Sequence, residues 1–294
     1  MSGEAYALVC AFFWALSSTM LKSQTHKGHI TSLIALRTLP PMLAYWGVLA
    51  LTGEIRSLSQ IPLSTWLFLS ASSIIGMVIG DLMYLQSMKL IGLSRAMPLS
   101  TTYIFITILL AWALLHEPLT WGILGGALLI AFGAYLLAFP RAIASAVESQ
   151  ATRRANGKGV IWALAAAVCW ASSSILLRVG VEGVPVLIAN TIRLTVLVVA
   201  LLPVSFWVGN TRQVGQYGPR ALVILFLSGL IGMGIGTFAF VSAVKLAGAA
   251  RSSVISAASP LFAVPLSLLL KEKPSPRTWV GTALTVLGVF LTIV

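Results

Sequence analysis

Long apolar stretches separated by short polar ones dominate the pattern along this chain of 294 residues. A membrane-crossing helix needs about 20 apolar residues, because each residue adds ~1.5 Å and the hydrocarbon core is ~30 Å thick. Charges and prolines mark the ends of ten such stretches. They lie at 3–22, 30–51, 63–88, 93–115, 119–139, 159–178, 184–208, 219–244, 249–270 and 275–294. The pattern therefore predicts an all-α membrane protein with ten transmembrane helices.

The features of the first half recur in the second half at a constant spacing. Trp-Ala-Leu-Ser-Ser at 14–18 returns as Trp-Ala-Ser-Ser-Ser at 170–174, which is 156 residues later. The same spacing joins Lys22 to Arg178, Arg37 to Arg193, Gly76 to Gly232, Gly80 to Gly236, Lys89 to Lys245 and Arg95 to Arg251. Because each half holds an odd number of spans, the second half is expected to be inverted relative to the first.

The most polar stretch of the chain lies between the fifth and sixth predicted spans. It includes Arg153 and Arg154 and separates the two sets of repeated features. We therefore expect a first five-helix repeat at 1–139, a polar basic linker at 140–158 and a second five-helix repeat at 159–294.

Composition agrees with a membrane protein and excludes an ordinary soluble domain. Hydrophobic residues make up 58% of the chain and charged residues 9%, with a mean hydropathy of +0.97. The net charge is +12, but the basic residues stand singly at the ends of apolar stretches and form no stripe suited to nucleic acid. They are typical of contacts with anionic lipids. The only two cysteines, Cys10 and Cys169, both lie in apolar stretches, which favours neither a disulfide framework nor a zinc site.

A combination of motifs, in this order and duplicated, resembles the drug/metabolite transporter superfamily in its EamA-type branch. The motifs are Trp-Ala-x-Ser-Ser in the first and sixth spans, an arginine in the second and seventh, Gly-x-x-x-Gly in the third and eighth, and His-Glu-Pro-Leu-Thr at 116–120. The resemblance covers essentially the whole chain. It implies an exporter-like ten-helix fold whose central cavity is lined by the first, third, fourth, sixth, eighth and ninth helices.

The orientation in the membrane has two competing interpretations. The resemblance implies that both termini face the cytoplasm. Most Lys and Arg residues, however, lie on the side of the central linker, and the positive-inside rule would place that side in the cytoplasm. A reporter fused to either terminus distinguishes the two arrangements.

Aromatic and hydroxyl side chains share one face of the first and sixth helices. Trp14, Ser17 and Ser18 are spaced i, i+3, i+4, and their counterparts repeat this spacing. Such a face can hold an amphipathic solute by stacking and hydrogen bonds, and it can equally serve helix packing. The predicted substrate-binding residues are Trp14, Ser17, Ser18, Tyr84, Thr101, Tyr103, Trp170, Ser173, Ser174, Phe238, Ser256 and Ser259.

Asp81 is the only aspartate in the chain and lies inside the third apolar stretch. An ionisable group there costs about 2.5–3.5 kcal/mol on insertion scales, which makes it a candidate for function. Arg37 lies at a similar predicted depth, about seven residues or ~10 Å from the same side. The two side chains are expected to pair, either as a structural ion pair or as a proton or cation site used in transport. The second repeat keeps Arg193 but places Thr237 opposite Asp81, so the pair is not duplicated.

Glycines, glutamates and prolines predict details of packing. Glycines seven residues apart predict a tight contact between the fifth and tenth helices, and a glutamate in each of two short loops is expected to cap the helix that follows it. Prolines in the fourth and ninth helices are expected to kink them toward the cavity. These residues are Gly126, Gly133, Gly281 and Gly288, then Glu117 and Glu272, then Pro98, Pro260 and Pro265.

These features together favour a transporter in the cell (plasma) membrane over an enzyme. The chain has no His-Glu-x-x-His motif, no second intramembrane aspartate for a dyad and no ATP-binding Gly-x-x-x-x-Gly-Lys-Ser/Thr motif. We expect secondary export of amino acids, other small metabolites or amphipathic drugs by alternating access, with protons as a possible coupling ion, and no cofactor or metal. A facilitative channel or uniporter is the alternative.

Overall fold

The computed structural model describes residues 1–22, 30–138, 150–207, 218–259, 261–262 and 276–294. Within this part of the chain all regular structure is helical, which confirms the all-α prediction. A 3₁₀ segment at Glu54–Gln60 joins the second and third helices. The helices are α1 (Gly3–Lys22), α2 (Ile30–Thr52), α3 (Leu63–Ile91), α4 (Leu93–Thr101), α5 (Tyr103–Leu115), α6 (Trp121–Ala138), α7 (Gln150–Gly180), α8 (Val186–Trp207), α9 (Pro219–Ala247), α10 (Ala249–Ser256) and α11 (Pro276–Ile293).

Helices occur in each of the ten regions that the apolar pattern marks. Among the described residues, six helical stretches are long and apolar enough on their own to cross a membrane, and Trp121–Leu136 and Trp279–Ile293 are apolar but shorter. The count of ten spans therefore stays a prediction. Helix α7 begins at Gln150, so it includes the last part of the expected linker.

The distribution of apolar and polar side chains is that of a protein surrounded by lipid. Large apolar side chains are exposed on the outside, among them Leu109, Trp112, Phe132, Val199 and Phe290. Many serines, threonines and an asparagine are instead buried among the helices. Hydrocarbon favours this arrangement, because lipid tails solvate apolar side chains but cannot form hydrogen bonds, so polar groups pair with one another inside the protein.

A short π-helical stretch lies near the middle of α3 and another in α9. The stretches are Ser73–Gly80 and Leu230–Gly236, and Asp81 and Thr237 follow them directly. A π stretch widens the helix locally and is frequent at functional sites. Both repeats therefore place an irregular, glycine-containing segment immediately before the position where they differ in charge.

Two contacts between the halves are related to each other by the repeat. A methyl group at Gly3 would lie 2.5 Å from the Cβ of Ala247, and one at Gly159 would overlap the side chain of Ile91. Gly159 is 156 residues after Gly3, and Ala247 is 156 residues after Ile91, so the two contacts are related by the repeat with the halves exchanged. The two contacts lie near opposite ends of the bundle. Gly159 and Arg178 are about 28 Å apart along α7 at ~1.5 Å per residue. Arg178 approaches Glu117 beside the start of α10, which is also where Gly3 meets Ala247.

Two hydrogen bonds in the centre of the bundle are related by the repeat in the same way. Ser17 Oγ donates to the carbonyl of Ser228 at 2.7 Å, and Ser173 Oγ donates to the carbonyl of Ser72 at 2.7 Å. An operation that exchanges the halves and also exchanges the two ends of the bundle is a two-fold rotation about an axis in the membrane plane. The halves therefore form an inverted repeat.

Helices α6 and α11 pack backbone to backbone, which confirms the contact predicted from the glycines. A methyl group at Gly133 would lie 2.6 Å from the carbonyl oxygen of Gly281, and one at Gly288 would lie 2.7 Å from that of Gly126. Thr285 and Thr292 bond to carbonyls of their own helix at this contact. Small residues allow close approach of this kind in membranes.

Replacing Gly126 with alanine is expected to destabilise the protein by about 1–3 kcal/mol, because the added methyl group would meet the Gly288 carbonyl at 2.5 Å. Gly125→Ala is the matched control, since its methyl group would meet only a Leu291 side chain at an ordinary 3.7 Å. Thermal unfolding in detergent measures both variants. Equal melting temperatures for the two variants would contradict the backbone contact described here.

The helix break between α4 and α5 falls at Thr102, four residues after Pro98. The Thr102 amide bonds to the Leu99 carbonyl in a tight turn, and its hydroxyl bonds to the same carbonyl at 2.6 Å. Pro98 has no N–H with which to bond the carbonyl four residues before it, near the start of α4, so it does not account for the break at Thr102, and the predicted kink stays a prediction. Pro260, Pro265 and Glu272 lie outside the described residues.

Candidate functional site

A cavity of about 670 Å³ lies between the two halves. Its size is in the range of small-molecule sites, and helices of both repeats contribute to its wall. Thirteen of the fourteen residues predicted for binding or coupling line it: Trp14, Ser17, Ser18, Arg37, Asp81, Tyr84, Thr101, Tyr103, Trp170, Ser173, Ser174, Ser256 and Ser259. Their role in binding stays a prediction, but the structure gathers them in one place.

Phe238 is the exception among the predicted residues. Phe240 lines the cavity instead, and Phe238 does not. Positions two apart on a helix point about 200° away from each other, so only one of them can face the cavity. The repeat spacing gives the correct residue, since Phe240 is 156 residues after Tyr84.

Aromatic side chains form two related walls in the cavity. The rings of Trp14 and Phe240 are 5.3 Å apart between centroids, and those of Trp170 and Tyr84 are 5.2 Å apart. Tyr103 adds an edge-on contact to Trp170 at 5.9 Å. These distances suit aromatic packing and leave flat apolar surfaces against which a solute ring can lie.

The two walls differ at the one position where the repeats differ in charge. The indole nitrogen of Trp170 donates to Asp81 Oδ1 at 2.9 Å. On the other side, the hydroxyl of Thr237 donates to the carbonyl of Met233 in its own helix. Within the described residues, no group of three or more His, Cys, Asp or Glu side chains comes together to hold a metal. The cavity therefore has a carboxylate beside one tryptophan and a neutral side chain beside the other.

Arg37 and Asp81 form no direct ion pair among the described residues, and their role in coupling stays a prediction. Arg37 Nη2 donates to Ser17 Oγ at 2.9 Å, whereas Asp81 accepts from Trp170. Both residues line the cavity, and the ion pairs formed by the described residues do not include this one. Depth along a helix does not fix rotation about its axis, and here α2 turns Arg37 toward α1 while α3 turns Asp81 toward α7.

The repeated serines serve helix packing as well as lining the cavity. Ser17 and Ser173 are 1% and 6% exposed, and each uses its hydroxyl to hold a carbonyl of the opposite half. Ser174 bonds back to the carbonyl of Trp170 at 3.0 Å. Ser17 and Ser173 therefore join the halves, the motif as a whole faces the cavity, and its role in binding a solute stays a prediction.

The Gly-x-x-x-Gly motifs leave the space into which the serines and tryptophans of the opposite half pack. A methyl group at Gly80 would lie 2.9 Å from the ring of Trp170, and one at Gly236 would lie 2.7 Å from the ring of Trp14. Gly76 and Gly232 likewise leave room for Ser173 and Ser17. The glycines thus let each tryptophan lie against a helix backbone of the opposite half.

Glu117 caps a helix, but not the one expected. Its carboxylate accepts the amides of Ala249 and Ala250 at 2.7 and 3.0 Å, at the start of α10 in the other half. Thr120 caps α6, the helix that follows, by accepting the Ile123 amide at 3.2 Å. His116 is in the left-handed conformation (φ 54°), which ends α5 just before Glu117.

Further polar contacts join the halves at the same end of the bundle. Arg178 Nε lies 3.8 Å from Glu117, and Arg251 Nη1 lies 3.0 Å from Glu4. Gly248, with φ 83°, starts α10 and would bring a side chain within 2.7 Å of Glu117. We call this end, defined by Glu4, Glu117, Arg178 and Arg251, the amino-terminal end.

A cavity between two inverted helical repeats, inside an exterior suited to lipid, is the architecture typical of membrane transporters. The family model for EamA-like transporters matches residues 1–139 and 157–294. The chain therefore belongs to the EamA-like transporter family, as the motifs indicate, and is an integral protein of the plasma membrane.

Relatives and a solved structure agree with this assignment. An uncharacterized transporter of Archaeoglobus fulgidus is 27% identical over 79% of this chain and 77% of its own. An uncharacterized transporter of a Sinorhizobium species is 31% identical over 47% of this chain and 96% of its own. A protein crystal structure has a TM-score of 0.78 at 19% identity, covering 98% of this chain and 95% of that one, which is a likeness in fold.

Proposed function

We propose that the protein is a secondary active transporter that exports small metabolites or amphipathic molecules by alternating access. The observation that carries this proposal is the cavity between two inverted repeats, whose walls are related by the exchange of halves. Inverted repeats give two conformations, each of which opens the same central site to one side of the membrane. Export as the direction follows the exporter-like fold that the family resemblance implies.

Transport by reconstituted protein tests the proposal. Proteoliposomes that contain the full chain are screened with labelled amino acids and other small metabolites, with and without an imposed pH gradient. Accumulation against a concentration gradient supports secondary active transport. Equilibration that never exceeds the outside concentration would instead indicate a facilitative uniporter or channel.

Asp81→Asn is expected to abolish accumulation driven by a pH gradient while leaving downhill exchange of the same solute. Asp81 is the only carboxylate among the described residues that line the cavity, and an amide can neither bind nor release a proton there. Glu182→Gln is the matched control, because Glu182 is exposed in the turn after α7. Unchanged pH-driven accumulation in Asp81→Asn would exclude Asp81 as the coupling site.

A further inference from the structure

The charged side chains that line the cavity are mostly positive. Arg37, Arg193 and Lys89 contribute three cations, and Asp81 contributes one carboxylate. A cation inside the apolar part of a membrane protein is costly unless it is paired. The cavity therefore has more positive charge than its own described lining neutralises.

Arg193 is the most deeply placed of these cations. It is 4% exposed, it lines the cavity, and its Nε has no hydrogen-bond partner. Its backbone is fixed, since Ser73 Oγ donates to the Arg193 carbonyl at 2.7 Å. A buried guanidinium with an unused donor, on a backbone that is held in place, can bind an acceptor from outside the protein.

Arg37 is the counterpart of Arg193 in the first repeat and has unused donor capacity as well. One of its terminal nitrogens donates to Ser17, but its Nε has no partner. The single carboxylate already accepts the indole hydrogen of Trp170 and makes no direct pair with Arg37. Neither arginine is therefore satisfied by the acid that the cavity contains.

We propose that the cavity takes an organic anion, a flat apolar body carrying a carboxylate, whose acid group is held by Arg193, with Arg37 as a second cation in the wall of the same cavity. The rings of Trp14 and Trp170 offer the surfaces for the body. This inference rests on the proposed function and names its substrate class. Guanidinium groups bind carboxylates through paired, charge-assisted hydrogen bonds, which neutral amides and amines do not match.

Matched probes that differ in one group test the acid requirement. The probes are indole-3-acetate, indole-3-acetamide and tryptamine, together with phenylacetate, phenylacetamide and phenethylamine. Equilibrium binding to the purified full chain in detergent is measured by calorimetry. We expect each acid to bind at least about tenfold more tightly than its amide or amine, as a charge-assisted contact predicts. Equal or tighter binding of the amides or amines, or no binding of either acid, would overturn the proposal.

Substitution of Arg193 separates recognition from a structural role. Arg193→Gln is expected to remove the tenfold preference for the acid while leaving amide binding unchanged, and Arg193→Lys is expected to retain part of the preference. Arg56→Gln is the matched control, because Arg56 is exposed outside the cavity. A purely structural Arg193 would lower acid and amide binding alike, and this result would also overturn the proposal.

The same preparation distinguishes this inference from the proposed function. Proteoliposomes that move the amide or amine probes, but neither move nor bind the acids, would keep the transporter and reject the anion site. Acid binding that depends on Arg193, with no transport of any probe, would keep the anion site and reject transport of this class of solute.

Discussion

Replacing Trp170 with alanine is expected to lower the rate of substrate transport at least about 100-fold. Trp170 supports one wall of the cavity, packs against Tyr84 and Tyr103, and donates to Asp81. The substitution removes an aromatic contact of about 0.5–1.5 kcal/mol and a hydrogen bond to a charged group of about 1.5–3 kcal/mol from the site, and 1.4 kcal/mol corresponds to a factor of ten. Initial rates in proteoliposomes with equal protein content measure the effect. The melting temperature of the variant in detergent shows how much of the loss comes from instability.

The conservative substitution Trp170→Phe isolates the hydrogen bond to Asp81 from the ring. We expect a loss of about tenfold, because the carboxylate keeps its aromatic neighbour but loses the indole N–H. Trp14→Phe is the matched variant, since Trp14 packs on Phe240 and faces the Thr237 side of the cavity. Its effect is expected to be clearly smaller. Equal losses in the two phenylalanine variants would mean that the Asp81 bond does not matter for transport.

The repeat in the sequence predicts the inverted arrangement of the halves, and 13 of the 14 predicted residues line the cavity, but apolar lining such as Met77 and Met233 falls outside that prediction. The spacing of 156 residues relates Trp14 to Trp170 and Tyr84 to Phe240, and the structure places each pair in matching positions. Side chains at equivalent positions of a repeat have equivalent surroundings. The spacing found for one motif therefore also predicts the positions of residues that belong to no recognisable motif. The same spacing applied to Tyr84 predicts Phe240, and not Phe238, as the aromatic residue in the cavity wall.

Contacts between different helices were harder to predict than positions along one helix. The sequence places Arg37 and Asp81 at similar depth, but their bonds to Ser17 and Trp170 depend on how α2 and α3 are rotated. Glu117 similarly looks like a cap for the next helix, whereas its partner amides lie more than 130 residues away. Hydrophobic periodicity gives little help here, because in lipid the outward face and the packed face of a helix are both apolar.

Contacts between the halves hold the amino-terminal end of the bundle together, and the alternating access proposed above requires them to break. Glu117 accepts two amides of α10, and Glu4 pairs with Arg251, so both acids that define this end bind the second half. Cys10 lies below them, fully buried in an apolar cluster that includes Val241 and Val244 of α9. Separation of the two halves at that end would expose this thiol to water.

Glu117→Ala is therefore expected to raise the rate at which a water-soluble maleimide labels Cys10 by about 10- to 100-fold. A hydrogen bond to a charged group contributes about 1.5–3 kcal/mol, and the substitution removes two of them together with the nearby Arg178 charge pairing. The measurement uses a Cys169→Ser background, so that Cys10 is the only thiol. Glu182→Ala, at an exposed acid after α7, should leave labelling unchanged.

If Glu117→Ala labels no faster than this control while its melting temperature is preserved, the Glu117 contacts do not hold the amino-terminal end closed. A faster rate that falls again when substrate is added would show that the same end opens and closes during transport.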